Sequence, residues 1–275
     1  MGADGLSSFH RLLSSFMLMK VIKHKLGDFP QLQILPLADL HIGDIHSNGQ
    51  KIQEWLDYIR DNENCFTILN GDLCDTATRT SIGDVYQQTY NPMQQLEQAV
   101  KLFGPIKDKI LAVTAGNHEA RIYKTDGIDT TQLICSQLGI ADRYSPESAM
   151  LFIQFGKQSS DKHNWPMLYS IYCVHGSGGG RKEPAKIGRL VDLASIIDAD
   201  IYLHSHTHLP AIVRNSYFRV DTRYCTTHKV DRLFLNTSSS IDYGGYGEVQ
   251  SYKPNSLETP LLLLDGAKRG MRAVL

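Results

Sequence analysis

Five short stretches carry residues that could hold a metal ion. In Ile34-Leu-Pro-Leu-Ala-Asp-Leu-His41 an apolar run ends in an aspartate and a histidine two residues apart, followed by Ile42-Gly43-Asp44. A hard carboxylate oxygen beside an imidazole nitrogen suits a divalent transition ion. One such pair could equally be a turn and a surface histidine. Repetition is what argues against that. Asn70-Gly-Asp-Leu-Cys-Asp75, Gly116-Asn-His-Glu119, His175-Gly176 and His204-Ser-His-Thr-His208 each follow directly on an apolar, β-branched run. Together Asp39, His41, Asp72, Asn117, His175, His206 and His208 offer oxygen and imidazole donors and no thiolate. Seven donors are too many for one four-coordinate zinc and suit two ions sharing a bridge, for which Asp72 is the natural carboxylate. Each residue alone has a plainer reading, since glycine-flanked Asp and Asn favour turns. The alternating histidines at 204, 206 and 208 are harder to dismiss, because in a strand they would share one face.

The elements that must position these residues alternate along the chain. Ile34 to Ala38 reads as a strand, which would put Asp39 and His41 on one face at its end. Gln50 to Asn62 has helical spacing, Cys65 to Leu69 is a second strand, and Asp84 to Phe103 reads as a helix broken at Pro92. Ile110 to Thr114 is a third strand, and Thr130 to Leu138 a helix that Gly139 can stop. The second half is richer in β structure. Met150 to Phe155 and Tyr169 to Val174 read as strands around a polar loop, Gly156 to Pro166. Pro184 to Ile197 reads as a helix, followed by strands at 201–204, 211–220, 230–236 and 261–264. Every metal-type residue then falls just past the carboxyl end of a strand, where α/β sheets build their sites.

The 275 residues can bury a substantial core, and the net charge of −1 gives no overall basic footprint for long duplex DNA. The five cysteines lack C-x-x-C spacing, so neither a disulfide framework nor a thiolate zinc site is expected, which fits a reducing cytoplasm. Residues 1–30 read as a lead-in, with a helix or a start upstream of Met17 or Met19, and 31–275 as a single domain. Leu12 to Met19 is too short to span a bilayer, so no membrane insertion is expected.

Asp-x-His, Gly-Asp-x-x-Asp, Gly-Asn-His-Glu, a later His and His-x-His, in this order, resemble the calcineurin-like metallophosphoesterase superfamily over roughly residues 32 to 240. The last motif departs from the family's Gly-His-x-His, because Ser205 occupies the glycine position. The resemblance implies a four-layer αββα sandwich. It implies that Asp39, His41 and His208 hold one ion, that Asn117, His175 and His206 hold the other, and that Asp72 bridges them. His204 would be an extra histidine outside the ligand set. His118 would face the substrate, and Asp75 would orient its ring. The cofactors would be two divalent ions drawn from Mn, Fe, Zn, Co or Ni, with manganese expected to support activity in vitro. The reaction would be hydrolysis of a phosphodiester or phosphomonoester by a bridging hydroxide.

For substrate the sequence offers Arg121 after Gly-Asn-His-Glu, and Arg181 and Lys182 at the end of the glycine-rich run after His175. Arg79 and Lys124 could also line the cleft, and Tyr243, Tyr246 and Tyr252 could form a lid or simply pack in a glycine-rich turn. The partner would be a phosphorylated small molecule or a nucleic acid, and nothing here sets an oligomeric state. Asp39-Leu-His-Ile-Gly43 also resembles the DNA-repair exonuclease branch, so a phage- or prophage-encoded nuclease is the alternative. A scaffold that has lost catalysis is the third reading, and the complete set of donors argues against it.

Overall fold

The computed structural model describes residues 19–78, 81, 85–159, 164–178 and 180–275. Expectations for residues 1–18 and for Arg79 lie outside these. The described strands form two six-stranded sheets. The first contains β1 (Lys20–Lys25), β6 (Ser148–Ser159), β7 (Asn164–Val174), β8 (Ile201–His204), β9 (Ala211–Asp221) and β10 (Thr226–Asn236), in the order β1-β6-β7-β8-β10-β9. The second contains β2 (Gln31–Ile34), β3 (Cys65–Asn70), β4 (Ile110–Thr114), β5 (Tyr144–Ser145), β11 (Leu261–Asp265) and β12 (Met271–Val274), in the order β12-β11-β2-β3-β4-β5. Strands β2 to β5 run parallel, as do β7, β8 and β10.

Period-two alternation divides the apolar residues between layers. Phe66 and Ile68 of β3 join Ile171 and Cys173 of β7 in the core between the sheets. Cys65 and Leu69 of β3 face helices α1 (Gly49–Asp61), α2 (Pro92–Phe103) and α4 (Thr130–Leu138). On the far side, Tyr172, Tyr202 and Phe234 meet Leu190 of α5 (Glu183–Asp192). The result is a four-layer αββα sandwich. The helix read over 84–103 is realised only from Pro92, with a 3₁₀ turn at Val85–Gln87 before it: Asn91 caps α2, Gln94 completes a capping box, and Pro92 takes the first position.

Several elements differ from the sequence reading. Lys20–Lys25 is an edge strand paired parallel to β6, where a lead-in helix was expected. Strand β2 ends at Ile34, and residues 35–38 continue beside β3 through Leu35 N–H to Phe66 O and Leu37 N–H to Ile68 O. Much of the expected polar loop at 156–166 extends the β6–β7 hairpin past an irregularity between Phe155 and Gln158. Helix α5 stops at Asp192 and passes into a 3₁₀ turn, Leu193–Ser195.

His24 of β1 joins the two sheets, its Nε2–H donating to Leu111 O of β4 at 2.7 Å. Burial holds this imidazole below its ordinary value, and the Leu111 bond offsets that only in part. The fold therefore keeps the ring neutral, while the unfolded chain protonates it below about pH 6.5. Its contribution is complete above that pH and is lost as pH falls. The urea midpoint of the wild-type protein should drop more steeply than that of His24→Gln between about pH 6.5 and pH 5. Equal slopes would contradict this account.

Candidate metal centre

Loops from both sheets meet above the carboxyl ends of their parallel strands. Asp39 and His41 follow β2, Asp72 and Asp75 follow β3, and Asn117 and His118 lie between β4 and α3 (Glu119–Asp126). His175 follows β7, and His206 and His208 follow β8. The strand-face expectation for Asp39 and His41 fails here. Both have left-handed backbones, with φ of 52° and 47°, as do Asp72 at 50°, His206 at 65° and His208 at 53°. Non-glycine residues enter this region only when their surroundings impose it. Here the loops are laced together: Asp39 N–H donates to Gly71 O, His41 N–H to Asp72 O and Asp75 N–H to Ile42 O. Two glycines are needed for closeness, because a Cβ at Gly116 would collide with Asp72 and one at Gly71 would lie 2.6 Å from His175 Nδ1.

Asp39, His41 and His208 present ligand atoms within 4.8 Å of one another, and so do Asp72, His175 and His206. His41, Asp72 and His118 form a third such group. His208 Nε2 is 3.2 Å from Asp39 Oδ1, and His175 Nε2 is 3.2 Å from Asp72 Oδ2. Asn117, although exposed, reaches the second group, its Oδ1 lying 3.3 Å from His175 Nε2. His204 stands apart, with Nδ1 on Asn236 Oδ1 at 2.8 Å. Ser205, at the motif's glycine position, needs no left-handed backbone. Its hydroxyl contacts Asn70 Nδ2 at 2.7 Å and Thr237 Oγ1 at 2.8 Å.

Buried His41 Nε2 has no hydrogen-bond partner among the described residues, and buried Asp39 Oδ1 has only the His208 ring, at 3.2 Å. Burial alone would raise the Asp39 and Asp72 carboxyls. The His208 charge and hydrogen bond outweigh it at Asp39, and the His175 and His118 charges outweigh it at Asp72, so both stay below the usual range. Burial also opposes charge on His175, yet Asp72 and Asp39 lift that imidazole to about 10. Burial and the His175 charge push His206 down to about 4. The centre thus favours positive charge beside its carboxylates while keeping a neutral imidazole ready to donate. With donors of oxygen and nitrogen only, it fits divalent ions. Cys74 takes no part, since its thiol faces Gln95 O and burial raises it well above its ordinary value.

The ring orientations are fixed from behind. His175 Nδ1–H donates to Asn70 O at 2.7 Å, which directs Nε2 into the cluster. His41 Nδ1 faces Asp75 Oδ1 at 3.3 Å, and His118 Nδ1 faces the same oxygen at 2.8 Å. Burial raises the Asp75 carboxyl, but the His118 and His41 bonds prevail and hold it well below the usual range. For His118, burial is outweighed by the Asp72 charge and the Asp75 bond, which raise it. Arg121 NH2 donates to His118 Nε2 at 3.0 Å, a contact that needs the neutral ring and opposes that rise.

Of the expected substrate residues, only Arg121 has a contact at the cluster. Arg181 is exposed over the Tyr252 ring, and exposed Lys182 is the N-cap residue of α5. Among the described residues neither makes a polar contact with the cluster. Lys124 and Tyr243 are exposed, and a short helix, α6 (Gly245–Val249), occupies part of the glycine-tyrosine stretch.

Two sets of supports were missed in the sequence. Glu119 closes the Gly-Asn-His-Glu motif, and its buried carboxylate accepts from the N–H groups of Asp72 (3.1 Å), Leu73 (2.6 Å), Cys74 (3.0 Å) and Gly116 (3.0 Å). Its place inside the motif was the available signal. The other is Thr237-Ser-Ser-Ser240 after β10, wholly buried, in which Ser239 Oγ donates to Asp39 O at 2.8 Å and Ser240 Oγ to Leu40 O at 2.9 Å. Nothing but its position after a strand marked it.

A family model described as calcineurin-like phosphoesterase matches residues 40–234. No curated protein matches the chain. Among solved structures, the chain is similar to an uncharacterized protein of Streptococcus pneumoniae described as a predicted phosphoesterase, with 15% identity, 90% of each chain covered and a TM-score of 0.38. It is similar to Vps29 of Entamoeba histolytica complexed with zinc, with 12% identity, 88% of this chain and 98% of that chain covered and a TM-score of 0.39. GAP50 of Plasmodium, described as the anchor in the inner membrane complex, is also similar, with 12% identity, 89% of this chain and 84% of that chain covered and a TM-score of 0.43.

Glu119→Gln replaces one acceptor oxygen with an NH₂ group facing backbone N–H donors in a buried place. Leaving such donors unpaired should cost about 2–4 kcal/mol. The expected result is a lower urea midpoint with an unchanged m-value, and a wild-type midpoint would deny Glu119 this role.

Proposed function

Because the chain belongs to the calcineurin-like phosphoesterase family, we propose that it is a metal-dependent hydrolase of phosphoesters, preferring diesters, with its centre at Asp72. The observation that carries this reading is the convergence of buried carboxylates and imidazoles from both sheets, with buried His41 Nε2 left without a partner among the described residues. Asp39, His41 and His208 would hold one divalent ion, and Asn117, His175 and His206 a second. Asp72 would serve both; its Oδ1 accepts from His118 N–H at 2.8 Å and its Oδ2 lies 3.2 Å from His175 Nε2. When bound, two such ions supply Lewis acidity toward a phosphoryl group and make a water nucleophilic near neutral pH.

The chain's own residues do the rest. Asp75 holds His118 Nδ1, which leaves Nε2, here accepting from Arg121, as the nitrogen that would face the substrate. Protonated on Nε2 as well, which the Asp72 charge and the Asp75 bond favour, the ring would give that proton to the leaving oxygen or hydrogen-bond the phosphoryl oxygens. Arg121, beside Nε2, brings a fixed positive charge to the oxygens on which charge accumulates. The ring and the guanidinium are both placed before substrate arrives.

Three outcomes test this. Manganese should raise the thermal midpoint of the wild-type protein, a chelator should reverse the rise, and Asp72→Asn should abolish both the rise and the turnover. Manganese-loaded protein should hydrolyse bis-p-nitrophenyl phosphate faster than p-nitrophenyl phosphate; the reverse order would redirect the search to monoesters, and no turnover with both ions bound would overturn the enzyme reading. His118→Ala should lower kcat by about 10²-fold, the low end for a lost general acid because p-nitrophenolate leaves readily. Its metal content should be unchanged, and loss of metal as well would remove His118 from that role.

A further inference from the structure

His208 differs from His41 and His175 in how it is held. Its side chain is 28% exposed, against 6% for His41 and 4% for His175. His41 and His175 each have the ring nitrogen that faces away from the cluster tied to an oxygen, of Asp75 and Asn70 respectively. His208 Nδ1 instead faces the half-buried side chain of Asn255, whose Nδ2 lies 3.5 Å away. A donor suits Nδ1 only while that nitrogen keeps its lone pair. Once Nε2 gives its lone pair to an ion, the neutral ring carries its proton on Nδ1 and requires an acceptor. Turning the carboxamide over presents Oδ1 at nearly the same position, without moving the backbone.

The segment carrying Asn255 is fastened on both sides. Tyr252 lies under Arg181, with 5.3 Å from guanidinium carbon to ring centroid, and Lys253 Nζ pairs with Glu183 Oε1 at 2.5 Å. Ser256 O accepts from Ser238 Oγ, next to the Ser239 and Ser240 that hold the carbonyls of Asp39 and Leu40. The strap is therefore attached to the loop that carries Asp39 and to the loop that follows His175.

We propose that Asn255 is the positioning residue for His208, its side-chain oxygen accepting the Nδ1–H of the metal-bearing ring. This rests on the dinuclear reading of the centre. Such outer partners set the tautomer and aim of a metal-binding histidine, and losing one typically costs 10- to 100-fold in metal affinity.

The test is zinc titration of metal-free wild-type, Asn255→Leu and Asn255→Asp proteins by calorimetry, with metal-free thermal midpoints as the control for folding. Asn255→Leu should bind one of two ions about 10- to 100-fold more weakly and the other as before. Asn255→Asp, which can only accept, should restore the weakened site. If Asn255→Leu does not fold, Asn255→Ala takes its place. Wild-type affinity in the Leu or Ala protein overturns the proposal, and so does an Asp protein as weak as the Leu protein. Wild-type protein that binds fewer than two ions overturns the dinuclear reading itself, and with it this one.

Discussion

The centre depends on holding five side-chain-bearing residues in left-handed backbone conformations within a few ångströms of each other. Asp39, His41, Asp72, His206 and His208 have φ between 47° and 65°. Each such residue costs about 1–3 kcal/mol, so the set together approaches the whole net stability of an ordinary domain. Only a dense set of hydrogen bonds among the loops can hold it. The four N–H bonds to Glu119 and the serine hydroxyls under Asp39 and Leu40 are that set. The reward for the strain is direction: a left-handed residue at the end of a strand turns its side chain up and over the strand ends. Strand alternation could not bring ligands from both sheets to one point.

Charge sets the second constraint. Asp39, Asp72, Asp75 and Glu119 are all buried, with exposures of 0%, 1%, 4% and 2%. Several carboxylates so close would repel each other and would lose hydration that the protein must replace. Asp75 and Glu119 are answered by the protein itself, through two imidazoles and four backbone N–H groups. Asp39 and Asp72 each accept one backbone N–H, from His206 at 3.0 Å and from His118 at 2.8 Å, and histidines must hold protons for the charge that remains. Those protons stand where cations of higher charge would be better held. His41 Nε2, without a partner among the described residues, follows the same logic, being costly as it is and explicable as a ligand.

The chemistry of the centre was legible in the sequence because oxygen and imidazole donors recur after apolar runs, which is a statement about residue types. The sandwich followed from that resemblance and from the strand periods. Backbone geometry at the site was not legible, since nothing in Asp39-Leu-His41 announces a left-handed turn in place of two side chains on one strand face. Strand β1 was hidden because an edge strand buries little: Ile22 is 6% exposed, but its neighbour Val21 is 44% exposed, and the segment carries three lysines. Glu119 and the serine run were missed for a common reason. Their importance lies in which backbone groups they satisfy, and apart from Gly116 N–H those groups belong to loops far away in the chain. Arg121 was recoverable because it lies one helical turn from His118, whereas Arg181 and Lys182 were offered on their place at the end of the glycine-rich run after His175, and that run does not bring them to the cluster.

The division of donors between the sheets has a mechanical consequence. Asp39, His41, Asp72 and Asn117 extend from the second sheet, and His175, His206 and His208 from the first. Each proposed ion would therefore take ligands from both, with His208 completing one set and Asn117 the other. An ion so placed links two layers that are otherwise joined by the apolar core and by ties such as His24 to Leu111. Its binding free energy would then count toward the packing of sheet on sheet, because a ligand that binds only the assembled pair stabilises the assembly. Sliding of one sheet past the other by an ångström would pull the donors apart before it exposed much apolar surface. The centre should thus respond to the alignment of the two sheets more sharply than the core does, so precise packing far from the site is part of what keeps it intact.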